Sequence, residues 1–236
     1  MIVGILGGIG AGKSTVTRMF VDEGAEALDA DRIAHDVLDL PVIQKEVRDR
    51  WGADVFDAEG RVDRARLAAV VFERGKGDGT PSGGTETELS VLESLIHPEV
   101  RRRIEASIRR FRSEGGKLLI LDVPLLLGTP LEEHCEALLF VDSRVDARID
   151  RTESRGWSPD DHQRRESRQA PVDAKRLAAT HTIDNKGDLD ALREQVQRLA
   201  REWTQANNPS AGAADEETAE RAERKQDQPS KRSPSA

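Results

Sequence analysis

A single cysteine, Cys135, cannot close an intrachain disulfide, so the stapled scaffolds typical of small secreted domains are set aside. Long apolar runs are missing too. Runs such as residues 118–121 fall far short of the roughly 20 residues a membrane-spanning helix needs. The amino terminus does not join a basic segment to an apolar stretch and a cleavage site, so no secretory leader is expected. Positive charge is not in excess either: 36 Lys and Arg stand against 44 Asp and Glu, a net charge of -8. That balance argues against a general nucleic-acid or membrane-surface binder, while leaving room for a local basic cleft. The expectation is a soluble, reduced, cytoplasmic protein with no nucleic-acid or membrane partner. No internal repeat is visible.

With 236 residues the chain has room for one α/β domain and a small appended subdomain. Residues 1–6 are apolar and end in glycines, after which Val16, Met19 and Phe20 fall on one helical face; this spells strand, loop, helix. A second strand over 25–28 ends at Asp29-Ala30-Asp31, and Pro41 opens a helix carrying Ile43, Val47 and Trp51. Asp63 is placed to cap a helix with Leu67, Val70 and Val71. Residues 75–88, dense in Gly, Ser, Thr and Pro, are expected to form a flexible surface insertion. Val100, Ile104, Ile108 and Phe111 recur at helical spacing after His97-Pro98, which reads as a cap followed by proline at the first helical position.

Residues 117–123 form a continuous apolar strand suited to a sheet covered on both faces, and 137–141 a second one. A basic helix over 145–155 and a charged helical stretch over 158–179, broken at Pro171, precede a short strand over 180–183. A last helix places Leu189, Leu192, Val196, Leu199 and Trp203 on one face. Residues 205–236 are polar, with too little apolar surface to offset the entropy of ordering them, and a disordered tail is expected. Strands alternating with helices imply a parallel sheet between helical layers, with ligands beyond the carboxyl ends of the strands.

Gly7-Gly8-Ile9-Gly10-Ala11-Gly12-Lys13-Ser14 is a complete phosphate-cradling loop between a strand and a helix. Glycines let backbone N–H groups converge on phosphate oxygens, Lys13 adds a point charge, and Ser14 can ligate magnesium at a helix amino terminus. The loop implies binding of a nucleoside triphosphate and leaves the acceptor open, since switches, ATPases and kinases share it.

Phosphoryl transfer also needs a carboxylate able to take the acceptor's proton. Asp29 and Asp31 follow the second strand, and either could serve as that base or cap a helix starting near Ala30. Asp122 ends the third strand, where it could hold magnesium or simply close the strand. Arg148, Arg151, Arg155, Arg164, Arg165 and Arg168 form a basic group without an apolar face, suited to a lid over phosphates. Any one of them alone reads as part of a solvated helix. Asn185-Lys186-Gly187-Asp188 spells the guanine-reading motif of regulatory GTPases, but Asp122 is followed by Val-Pro-Leu where a γ-phosphate sensor needs a glycine.

Taken in order, the motifs resemble the dephospho-coenzyme A kinase family over nearly all of residues 1–203. They are the loop through Thr15, Asp29-Ala30-Asp31 with Ile33-Ala34, His97-Pro98, Asp122-Val123-Pro124-Leu125-Leu126, Arg151, Arg155, Gln169, Lys175, and Ile183-Asp184-Asn185 with Gly187. The family continues Pro-Leu-Leu with Phe-Glu, where this chain has Leu127-Gly128. The resemblance implies a P-loop kinase core within a domain of residues 1–204, with a coenzyme A-binding helical segment near 32–114 and a lid near 148–178. It implies transfer of the ATP γ-phosphate to the ribose 3′-hydroxyl of dephospho-coenzyme A, with Mg2+. By the same resemblance, Asp31 is the general base, and Lys13 and Arg151 act on the transferring group. Gly8, Gly10, Ala11, Gly12, Lys13, Ser14 and Thr15 would bind ATP, with Asn185 and Gly187 on the adenine side. Asp29, His97, Pro124 and Leu125 would bind the acceptor, and Ser14 and Asp122 the metal. A monomer is expected.

Overall fold

The structure is a computed structural model that describes residues 1–73 and 87–206. Five strands, β1 (Ile2–Leu6), β2 (Glu26–Asp29), β3 (Leu119–Asp122), β4 (Ala137–Asp142) and β5 (His181–Asp184), pair in parallel in the order β2-β3-β1-β4-β5. In β1 and β4 every residue is buried, which is why they read as unbroken apolar runs. Their side chains still alternate between two cores. Val3, Ile5, Ile120 and Leu139 face helices α1 (Lys13–Asp22) and α9 (Leu189–Ala206), meeting Val16, Phe20, Val196 and Trp203. Phe20 stacks on Trp203 with ring centroids 5.5 Å apart. Ile2, Leu119, Leu121 and Phe140 enter the second core, with Val37, Val47, Ile104 and Phe111.

That second core is covered by the excursion between β2 and β3, which comprises α2 (Ala30–Leu38), α3 (Pro41–Trp51), α4 (Arg64–Glu73) and α5 (Glu88–Ser113). Pro41 is the first residue of α3 as expected, and Asp63 Oδ1 accepts the N–H groups of Ala65 (3.0 Å) and Arg66 (3.1 Å) at the start of α4. Three short helices, α6 (Val145–Glu153), α7 (Pro159–Glu166) and α8 (Val172–Ala178), lie between β4 and β5.

Several sequence expectations are corrected. His97-Pro98 does not open a helix: α5 begins ten residues earlier, where Thr87 Oγ1 accepts the Ser90 N–H (3.1 Å), and Pro98 lies inside it. Threonine is the better cap, and Glu88 anchors this start by accepting from Trp51 Nε1 (2.9 Å) and Arg50 Nη2 (3.0 Å). Proline in a helix interior removes one backbone bond, which packing of the apolar face of α5 outweighs here. Glu88 therefore belongs to α5, with Thr87 as its cap, and not to the insertion expected over 75–88, whose other residues, 75–86, lie outside the described ones. Leu189 is exposed at 61%, and the buried face of α9 is formed by Leu192, Val196, Ala200 and Trp203. Gln205 and Ala206 are helical instead of starting the tail; residues 207–236 lie outside the described residues.

The strand order reverses around β1, which has β3 on one side and β4 on the other. In open α/β sheets the ligand crevice lies at such a reversal, beyond the carboxyl ends of the strands. The loop of residues 7–12 leaves β1 at that point.

Candidate active site

Gly10 and Gly12 have φ of 75° and 93°, values that side chains other than glycine's rarely adopt. Space forbids a side chain there as well. A Cβ on Gly10 would stand 2.4 Å from the Arg148 carbonyl oxygen, and one on Gly12 2.5 Å from Asn185 Nδ2. Gly12 precedes α1 without a side-chain cap, so the first N–H groups of the helix remain available to an anion. Lys13 Nζ folds back to donate to the Gly8 carbonyl (3.3 Å), and the Ala11 N–H donates to the same oxygen (3.1 Å).

Polar side chains hold this loop from behind and from above. Asn185 is buried just past β5 and donates its amide to the Ala11 carbonyl (2.7 Å), so it braces the loop directly. Arg151 Nη1, on α6, donates to the Gly10 carbonyl (3.0 Å) and to Ser143 Oγ (2.8 Å). Lys175, buried on α8, donates to the Gly7 carbonyl (3.2 Å) and to Gln169 Oε1 (2.6 Å). Burial, with Lys13 nearby, pulls its pKa down to about 8. Gly187 lies in an open turn, with nothing within 4 Å of a Cβ placed there.

Arg148 is the residue that sequence reasoning undervalued. It is 6% exposed, it pairs with Glu166 of α7 (2.5 Å), and its guanidinium lies where a Cβ on Gly8 would point, 1.8 Å from that position. The only signal for it was its membership in the group of arginines. Of that group, Arg148 and Arg151 reach the loop, while Arg155 is near enough for its charge to act on Lys13. Arg164 pairs with Asp161, and Arg165 lies 4.2 Å over the Trp157 ring.

On the opposite side stand the carboxylates. Asp29 and Asp122 are paired in register at the ends of β2 and β3. Asp29 Oδ1 caps α2 by accepting the Arg32 N–H (3.1 Å), so one of the two open readings for this pair is realised by Asp29. Asp31 lies in the first turn of α2, outside that cap. It is open to solvent on one side, yet the cleft walls desolvate it and the charge of Asp29 repels it, so its pKa is raised; His35 and Lys13 partly offset this. Asp122 is also raised, first by burial and then by Asp29 and Asp31, with Lys13 pulling the other way. Lys13 is lowered by burial, and Asp122 and Asp31 are the groups that sustain its charge. The Thr17 hydroxyl lies buried beside Asp122 and turns towards its carboxylate, which weakly favours the ionised form.

The remaining sequence candidates occupy the surroundings. Pro124 is half-buried and Leu125 exposed, both just beyond β3. His97 is exposed on α5, which packs against α2. At the next turn Glu132 Oε2 accepts the Gly128 N–H (2.6 Å), so a carboxylate stands here although residue 128 is glycine. The guanine-reading pattern is used otherwise: Lys186 pairs with Asp142 (2.5 Å), and Asp188 Oδ1 accepts the Ala191 N–H (2.8 Å) to cap α9.

A sheet of this order with a phosphate loop at its reversal, one lysine and facing carboxylates defines a kinase of the P-loop type. Residues 1–191 match the dephospho-CoA kinase family, and the chain belongs to that family. Among its relatives, a dephospho-CoA kinase from Corynebacterium diphtheriae is 36% identical over 86% of this chain and 96% of its own length. One from Carboxydothermus hydrogenoformans is 34% identical over 86% of this chain and 94% of its own. A solved structure from Thermus thermophilus aligns with a TM-score of 0.65 at 31% identity, covering 86% of this chain and 97% of that one. A dephospho-CoA kinase structure from Campylobacter jejuni, at 19% identity and a TM-score of 0.61, shares the fold over 86% of this chain and 96% of that one.

Proposed function

We propose that this protein moves the γ-phosphoryl group of ATP to the ribose 3′-hydroxyl of dephospho-coenzyme A, giving coenzyme A and ADP, in the cleft between the loop of residues 7–15 and the amino end of α2. Membership of the family supports the reaction. The observation that carries the residue assignment is the meeting of Lys13 with Asp31 and Asp122, each acting on the charge of the others.

Donor phosphates are received along Gly8, Gly10, Ala11, Gly12, Lys13, Ser14 and Thr15, by the backbone N–H groups that the loop and the first turn of α1 leave unbonded and by the Lys13 ammonium. Asn185 fixes the loop and, with the turn at Gly187, marks the adenine side. Asp31 accepts the proton of the 3′-hydroxyl as its oxygen bonds to the γ-phosphorus, and the bond from that phosphorus to the β,γ-bridging oxygen breaks to release ADP. Arg151, held between Gly10 and Ser143, adds positive charge beside the transferring group. Asp29, His97, Pro124 and Leu125 border the acceptor, within a helical segment near 32–114 and the strand end that follows it. Residues 148–178 act as the lid. The protein works as a cytoplasmic monomer.

Mg2+ fits the residues present. Among the described residues no three carboxylate, imidazole or thiol groups assemble to enclose a metal, but Mg2+ usually takes one or two carboxylates and completes its shell with phosphate oxygens and water. Asp122, at the carboxyl end of β3 and coupled to Lys13, and the Ser14 hydroxyl would hold it, with the Thr17 hydroxyl beside Asp122 orienting that carboxylate. When bound it would supply positive charge to the phosphate oxygens. The direct test is incubation with ATP, magnesium and dephospho-coenzyme A, following coenzyme A by chromatography; no product over an ATP-only control would sink the reading.

Asp122→Asn is expected to raise the melting temperature of the unliganded protein by a few degrees while lowering turnover. The folded pKa of Asp122 lies above the ordinary 3.8, so the fold favours the protonated form. That favourable contribution is present at low pH and is lost as pH rises from the ordinary value through the raised one, leaving a net penalty at neutral pH. A neutral isostere removes the penalty, and for a chain of this size about 1 kcal/mol corresponds to roughly 2–4 °C. Calorimetry at pH 7 checks this, and a lower melting temperature would mean that the attraction to Lys13 outweighs burial and repulsion.

A further inference from the structure

A cavity of about 730 Å3 opens between α2 and the segment that leads into α4. Arg32 and His35 of α2 and Arg61 and Arg64 from the facing segment line it. Arg64 Nη1 donates to His35 Nδ1 at 2.5 Å, which ties the two elements together across the cavity. The Arg32 guanidinium has no ion pair among the described residues. Acids line the cavity too, but two of them are engaged. Asp57 accepts from the Arg61 backbone (2.8 Å) and guanidinium (3.2 Å), and Asp63 caps α4 and pairs with Arg66 (3.2 Å). Asp36, late in α2, and Asp39, just past its end, remain, so the basic end of the cavity is the end nearer Asp31.

His35 follows Asp31 by four residues on α2, which puts the two side chains on one face about 5–6 Å apart at their Cβ atoms. His35 is thus a direct neighbour of the Asp31 carboxylate on that face. The acceptor's own chemistry asks for such a neighbour. Its reacting hydroxyl is on the 3′-carbon of a ribose whose 5′-carbon carries a diphosphate, and one furanose ring spans a distance comparable to one helical turn of about 5.4 Å. With the hydroxyl at Asp31, the diphosphate falls about a turn away, where Lys13 and the loop, occupied with the donor's phosphates, do not reach it.

We propose that Arg32, His35 and Arg64, with Arg61 beside them, form the subsite that receives the diphosphate of the acceptor and so sets the position of its 3′-hydroxyl against Asp31. This rests on the functional reading given above and adds to it which residues hold the anionic part of the acceptor. Guanidinium forks suit phosphate oxygens because two parallel N–H bonds fix direction as well as charge.

The test uses the full chain. Steady-state kinetics are measured for the wild type, Arg64→Ala, Arg64→Lys and Arg32→Ala with dephospho-coenzyme A and ATP varied in turn, and calorimetry follows binding of dephospho-coenzyme A without ATP. Arg64→Ala is expected to raise the acceptor KM and Kd about tenfold or more, with kcat within about threefold and the ATP KM unchanged. Arg64→Lys should recover part of the affinity. Adenosine, which lacks the diphosphate, should be phosphorylated at the same low rate by the wild type and Arg64→Ala. Unchanged acceptor KM and Kd in both alanine variants overturns the subsite, as does an equal rise in the ATP KM or an equal loss with adenosine. Should Arg64→Ala fail to fold, Arg32→Ala, at an exposed side chain, carries the same expectation. A wild type that makes no coenzyme A sinks the functional reading instead, and the subsite is then judged on the calorimetric loss alone.

Discussion

Lys13→Ala is expected to lower kcat about 10²- to 10³-fold while the folded protein remains intact, the size of loss that follows removal of one preorganised charge or donor from a reacting centre. The ammonium is drawn to the centre of the cleft from both sides. It folds over the loop to the Gly8 carbonyl, and the carboxylates Asp31 and Asp122 sustain its charge against burial. A triphosphate entering the loop replaces the Gly8 carbonyl as its partner, so the charge is present where negative charge collects during transfer. The other cations that touch the loop are tied to partners of their own. Arg148 is engaged with Glu166, Arg151 with Gly10 and Ser143, and Lys175 with Gly7 and Gln169. Single-turnover assays alongside circular dichroism check the result, and turnover within threefold of the wild type would remove Lys13 from the proposed role.

Much of this architecture could be read directly from local patterns. All five strands were visible, because a doubly covered parallel strand is an apolar run and the runs at 2–6, 119–122 and 137–142 have few rivals in so polar a chain. The loop was visible because its glycines are demanded twice, by backbone angle at Gly10 and Gly12 and by the atoms of Arg148 and Asn185 that crowd them. What stayed hidden depends on partners distant in sequence. Pro98 looked like a helix start because proline in a helix interior carries a local penalty, and only packing of α5 against α2, α3 and α4 offsets it. Arg148 looked like one solvated arginine among six, since its burial is created by Gly8, Glu166 and the turn of α6 onto the loop. Asn185 looked like a base-reading residue, and the structure adds that its amide braces Ala11, 174 residues away. The arginine and histidine cavity beside α2 has no motif at all. It exists because the chain brings the first residue of α4, Arg64, beside His35 of α2, 29 residues apart.

Asp31→Asn is expected to lower kcat by about 10²- to 10⁴-fold, the range that loss of a positioned general base produces. ATP affinity should be unchanged or slightly tighter, because a negative charge near the phosphates is removed. A pH profile separates a base from a merely structural carboxylate. The raised pKa of Asp31 means that the active, ionised form accumulates as pH rises through a value above the ordinary 3.8, so the acid limb of kcat should lie above that value in the wild type and be absent in Asp31→Asn. Asp29→Asn supplies the control. Asparagine caps a helix as well as aspartate, so α2 keeps its start, while the repulsion that lifts the pKa of Asp31 is withdrawn. The acid limb should then move to lower pH with kcat on the plateau reduced far less than in Asp31→Asn. Near-normal turnover in Asp31→Asn, or an acid limb that survives there unshifted, would assign the proton to another group, of which Asp122 at the end of β3 is the nearest in chemistry and in charge coupling.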